Sequence, residues 1–188
     1  ARPGLLAAAR QESPTEPRLA FIKTPVWDQA AEATRRGFDR LVARLGKRLT
    51  EISLPPAFDE AHAIHRTVME PELALSYAAE YATGKERLSA TLRQIIERGQ
   101  STPAVVYLRA LEQMPSLAAA LDAILARYDA ILTPATPGEA PIGLQATGSP
   151  VFCTIWTLCG VPALSLPLLR GADHLPLGVQ LVGARGDD

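Results

Sequence analysis

GVPALSLPLLRGADHLPLGVQLVG, residues 160–183, is two short apolar runs with a polar loop between them. Proline punctuates both: Pro162 and Pro167 stand around the first run, and Pro176 opens the second. Runs this short, bounded by proline and glycine, predict strands. The residues between them, 168–175, are too few for a helical crossover, so the pair is expected to be antiparallel. Neither strand carries an obvious catalytic group, and the rest of the chain has to explain why the backbone is fixed so closely there.

Upstream, RLAFIK (Arg18–Lys23) predicts a short strand stopped by Thr24-Pro25. Asp28 is placed to cap a following helix in which Thr34, Phe38, Leu41, Val42 and Leu45 recur at helical spacing, with Gly46 suited to its C-terminal end. RLTEIS (Arg48–Ser53) reads as a second strand, so residues 18–56 form a βαβ unit with parallel strands. Residues 57–128 are helical in pattern. Breaks are expected near Pro71 and Gly84, a helix start at Ser101-Thr102-Pro103, and a kink or split at Pro115. Residues 129–188 open with a strand, DAILT (Asp129–Thr133), followed by the Pro/Gly loop PATPGEAPIGLQATGSP, residues 134–150. A loop of that length inside a compact domain is expected to be functional or docked on something. Val151–Leu158 predicts a short helix ending at Gly160, before the closing strand pair. The fold class is therefore α/β, a mixed β-sheet of about five strands flanked by helices.

The chain has 188 residues, 47% of them hydrophobic and 21% charged, enough for one domain with a sizeable core. Nineteen Lys and Arg against twenty Asp and Glu leave almost no net charge, which speaks against nucleic acid and anionic membrane as partners. The apolar runs are too short to span a bilayer. Cys153 and Cys159 fit two buried thiols in a reducing, cytoplasmic setting better than a disulfide framework. Residues 10–17 read as a linker. The apolar stretch in ARPGLLAAARQ is short for a signal peptide, and Asp187 or Asp188 resembles a helix cap with no helix after it. Both ends are thus expected to be cuts in a longer polypeptide.

Reactive constellations are scarce. No G-x-S-x-G occurs, and Ser149, followed by Pro150, reads as a turn residue. His62 and His65, three apart on a predicted helix with Glu70 beyond, offer a metal only if a third ligand converges; packing or surface histidines are the plainer expectation. His174 falls in the terminal hairpin loop and Lys23 at a strand end, both expected in solvent. Dinucleotide and phosphate loops are absent from the sequence. Phe152 and Trp156, four apart, are expected to share a helix face, either packed in the core or lining a pocket beside the long loop.

The order of YDAILTPATPGEAP (Tyr128–Pro141), WTLCGVPALSLP (Trp156–Pro167) and LPLGVQLVG (Leu175–Gly183) resembles the C-terminal half of the amidase signature family. PRLAFIKTPVWD (Pro17–Asp28) and RLTEISLP (Arg48–Pro55) resemble its middle section. The resemblance implies a mixed-sheet α/β/α core and hydrolysis of amide bonds by a Ser nucleophile, a bridging Ser in a cis peptide and a Lys base. Burial that depresses the lysine pKa lets it draw a proton through the bridging Ser, and backbone N–H groups then hold the oxyanion. In the family those groups lie in a Gly/Ser-rich N-terminal segment that nothing here matches. No catalytic residue is therefore carried over, and no cofactor or metal is implied.

The resemblance assigns this chain the substrate pocket, through Phe152, Trp156, Thr133 and Pro134. Its partners are expected to be a small amide, the missing N-terminal half and, through exposed apolar surface, a further copy of itself. Pro150 and Thr157 stand where amidotransferase members of the family carry Asp and Asn, which favours a stand-alone amidase with a more apolar pocket. Alone, the chain is expected to be inactive. A non-catalytic α/β module that binds a ligand or partner is the alternative.

Overall fold

The computed structural model describes residues 4–10 and 15–186. The expected linker at 10–17 falls partly, and the cap at Asp187 or Asp188 wholly, outside the described residues. After a short helix α1 (Leu5–Arg10), the chain gives β1 (Leu19–Ile22), α2 (Glu32–Leu45) and β2 (Leu49–Ile52). A helical stretch follows: α3 (Ala61–Ser76), α4 (Ala78–Gly84), α5 (Ala90–Ser101) and α6 (Ala104–Leu125). It leads to β3 (Ala130–Pro134), α7 (Thr154–Cys159), β4 (Ala163–Arg170) and β5 (Pro176–Val182).

These strands make one mixed sheet in the order β2-β1-β3-β5-β4. β1 pairs parallel with β2 and with β3, as helical crossovers require, whereas β5 runs antiparallel to both β3 and β4. Alternation along the strands divides the core into two layers. Ala20, Ile22, Ile131 and Val182 pack on one face against Ile64 and Val68 of α3, Leu117 and Leu121 of α6, and Ile155 and Trp156 of α7. On the opposite face, Phe21, Leu132 and Val179 meet Phe38 of α2, with Leu41 and Leu45 beside them.

The prolines of the closing pair now have their reasons. Pro162 offers its carbonyl to the Gly183 N–H at 3.0 Å. Pro167 lies in the edge strand β4 at the register shift between Leu166 and Leu169, where a missing N–H costs no ladder bond. Gly160 ends α7 in the left-handed region, at φ 64°, letting the Val161 N–H turn back to the Trp156 carbonyl.

Local details depart from the sequence expectations in four places. Asp28 sits in a single 3-10 turn (Trp27–Gln29), and α2 starts later, at Glu32, behind Ala31, which has no side-chain acceptor to cap it. The turn is closed by the Gln29 N–H donating to the Val26 carbonyl and the Ala30 N–H to the Trp27 carbonyl, and the Pro137 carbonyl then takes the Ala31 N–H. α3 runs through Pro71 and stops at Tyr77 instead, held by buried Ile64, Val68 and Ala74 on one face. α6 likewise continues through Pro115, which faces solvent while Ala110, Leu117 and Leu121 point inward, so water can satisfy the carbonyl left free one turn earlier. Ser101 closes α5, and Pro103 alone stands at the entrance to α6.

Candidate functional site

The parallel strands β1 and β3 end side by side, and the chain leaving β3 builds a cleft of about 600 Å³ there. Carboxyl ends of parallel strands are the usual place for ligands in α/β sheets, and this volume suits a small organic molecule. The loop supplies Ala135 to Pro141 and Thr147 to Ser149 as walls, while Ser165 and Pro167 of β4 and Pro176 and Gly178 of β5 close it from the sheet.

Long-range polar contacts hold the loop. The Pro137 carbonyl accepts from the Ala31 N–H and the Thr34 hydroxyl, both at 2.8 Å, fixing the loop to the start of α2. Two residues on, the Glu139 carboxylate accepts the N–H groups of Asp173 (3.2 Å) and Leu175 (2.7 Å), fastening it to the β4–β5 turn. In that turn His174 takes a positive φ of 63°. Gly178 lies so close to its neighbours that a Cβ there would stand 2.7 Å from Ser165 Oγ and 2.8 Å from Ala135 Cβ. The cleft floor therefore requires glycine.

Behind the floor is a buried polar layer. Thr133 and Gln180 face each other across β3 and β5, and Ser165 faces Gln180 across β5 and β4. The Cys153 thiol donates to the Ala135 carbonyl at 3.4 Å, and the Gln180 side-chain nitrogen donates to Cys153 Sγ at 3.7 Å.

Of the residues expected at a pocket, Thr133 and Pro134 are buried at the strand end that leads into the cleft. Phe152 and Trp156 are both buried but do not share a surface. Phe152 lies in the turn before α7 and packs with Val26 and Ala30, whereas Trp156 joins the main core. The cysteines form no disulfide: Cys153 is half-buried, and burial pushes the Cys159 thiol up to about 11. Glu139, Ser165 and Gln180 are not singled out by the sequence patterns. Only Gln180 leaves a signal there, as the single polar side chain in the run LGVQLVG.

His62, His65 and Glu70 do not converge. His62 donates Nε2–H to the Val151 carbonyl at 2.9 Å, tying α3 to the turn before α7. Glu70 is consumed by Arg98, whose Nε and terminal nitrogen reach one carboxylate oxygen at 2.9 and 2.6 Å. No cluster able to hold a metal exists among the described residues. Ser149 behaves as a turn residue, its hydroxyl accepting from the Val151 N–H at 3.4 Å. Lys23 pairs with Glu51 at 2.7 Å. No helix among the described residues is long and apolar enough to cross a membrane.

Comparison with known proteins adds the wider context. A family model described as Amidase matches residues 2–188. The A subunit of glutamyl-tRNA(Gln) amidotransferase from Cereibacter sphaeroides is 41% identical over 75 residues, covering 36% of this chain and 15% of that protein. Its counterpart from Agathobacter rectalis is 37% identical over 84 residues, covering 41% of this chain and 17% of the relative. The matched segments thus span less than a fifth of these relatives' length. Among solved structures, an amidase superposes with a TM-score of 0.80 at 24% identity, over 94% of this chain and 44% of its own. A substrate complex of 6-aminohexanoate cyclic dimer hydrolase gives 0.72 at 19% identity, over 94% and 43%. Likeness at these identities shows a shared fold.

Proposed function

Because the chain belongs to the amidase family, we propose that it forms the C-terminal, substrate-binding part of an enzyme that hydrolyses a carboxamide C–N bond. The reactive Ser-Ser-Lys centre lies outside these residues, and this chain alone does not turn over amides. One observation carries the reading: the cleft opens at the carboxyl end of β3, between its loop and the antiparallel strands β4 and β5, with its walls fixed at Pro137 and Glu139. Thr133 and Pro134 form the end of the strand that enters it. Phe152 and Trp156 act from behind, as rigid packing that keeps the turn at residues 151–153 in place.

The open edge of β4, where Leu164 and Leu168 are more than half exposed, is where we place the remainder of the family fold. Support for this comes from the structural neighbours, of which this chain covers only about two fifths. Left uncovered, the same edge would favour self-association.

Ammonia release from propionamide and benzamide, measured with the purified chain, tests the proposal together with an NMR titration of benzamide. The expected result is no turnover, with shifts of the backbone amides of Thr136, Ser149 and Gly178. Turnover by this chain would place the reactive centre within it. Absence of binding in the cleft would remove its role in holding substrate.

A further inference from the structure

The cleft is charged with one sign only. Among the described residues that line it, Glu139 alone carries a charge, and no Lys, Arg or His joins it. The rest of the lining is Ala, Gly and Pro with the hydroxyl residues Thr136, Thr147, Ser149 and Ser165.

Glu139 is held where it stands. Its two carboxylate oxygens accept the N–H groups of Asp173 and Leu175, and its carboxyl carbon lies in the space that a Cβ at Gly171 would need. Leu175 directly precedes Pro176, itself a lining residue, so the carboxylate sits at the seam between the loop wall and the hairpin wall. The two backbone donors share its charge without cancelling it. An ionised carboxylate has room for about four donors, which leaves acceptor capacity for another. None of the ion pairs among the described residues includes Glu139. The basic residues of the same hairpin, Arg170 and His174, line a separate depression of about 430 Å³ that shares only Pro167 and Pro176 with the cleft.

We propose that the cleft takes an amide whose far end carries a primary ammonium group, and that Glu139 is the residue that selects it. The inference rests on the amidase reading and adds to it the charge class of the substrate. An ammonium is a compact charge with three donors, suited to a carboxylate whose present donors are backbone groups. An acid of the same shape meets repulsion there, with no cation in the lining to offset it.

The test is an NMR titration with 4-(aminomethyl)benzamide, 4-methylbenzamide and 4-carbamoylbenzoate, which are similar in shape and respectively cationic, neutral and anionic at neutral pH. Binding is read at the backbone N–H groups of Thr136, Asp173, Leu175 and Gly178, and repeated on Glu139→Gln and Arg170→Gln. Affinity is expected to fall from cation to neutral amide to anion, by at least about tenfold between the first and the last at low salt, and the spread should shrink as salt is added. Glu139→Gln keeps the shape of the side chain and an acceptor for the turn, and should bring the three affinities together. Arg170→Gln should leave their order unchanged. Should Glu139→Gln lose the cleft altogether, the order and its salt dependence in the parent chain still decide.

Equal binding of all three by the parent, tighter binding of the anion, or a cation preference that survives Glu139→Gln overturns the inference and leaves the amidase reading standing. Binding of none of the three in the cleft removes both.

Discussion

Gly99→Ala should destabilise this protein even though alanine is the better helix former. Gly99 lies near the end of α5 where that helix crosses α3. A Cβ built there would come within 2.5 Å of the Glu70 carbonyl carbon, closer still to its oxygen, and 2.9 Å from Ala74 Cβ. Two of those neighbours are backbone atoms inside a helix and cannot rotate away. Ordinary contact would require the helices to part by about 1–1.5 Å. Separation on that scale would loosen the packing of Ile96 and Ala74 and stretch the ion pair between Arg98 and the buried Glu70 carboxylate. Overpacking of this kind costs about 1–3 kcal/mol and sometimes more, against a helix-propensity gain of about 1 kcal/mol.

A net loss of about 1 kcal/mol, the middle of that balance, corresponds to a fall in melting temperature of about 2–4 °C for a chain of this size. Thermal denaturation followed by far-UV circular dichroism reads it directly. Gly84→Ala is the matched control: there a Cβ meets only the Arg87 guanidinium, the movable tip of a long side chain, at 2.8 Å. A Gly99→Ala melting temperature equal to or above that of the parent would refute the close crossing of α3 and α5.

Two further outcomes follow from the same structure. Burial, and secondarily the neighbouring His62, lower the His65 pKa from its ordinary value, so the folded protein holds this proton less firmly than the unfolded chain. Stability from this group is therefore complete above about pH 6.5 and is lost as the pH falls below it towards the lowered folded value; His65→Phe should flatten that part of a melting-temperature profile between about pH 7 and 5. Glu139→Ala removes the acceptor for the Asp173 and Leu175 N–H groups, and hydrogen exchange at those two amides should quicken while the amides of β5 remain protected.

What the sequence makes legible here is whatever depends on nearest neighbours along the chain. The strand limits at Pro25, Pro55 and Pro176, and the helix stop at Gly160, follow from backbone restrictions carried by single residues. The antiparallel closing pair follows from the shortness of its connection. Pro71 and Pro115 mislead for the opposite reason. Each weakens its helix locally, but α3 and α6 are fixed by apolar side chains packed against the sheet, and that packing outweighs one lost intrahelical bond.

The cleft is the least legible part because its walls are joined by contacts between distant residues. Glu139 finds the turn at Asp173 and Leu175, Pro137 finds Thr34, and Gln180 finds Cys153; no periodicity encodes any of these pairs. The feature that does reach the sequence is a misfit. Gln180 interrupts an apolar strand and shares its face with the fully buried Val182, so its amide enters the core on that side. A strand that needed only packing would carry Val or Ile at that position. The partner that orients the Gln180 amide, the Cys153 thiol, is brought to it only by the fold.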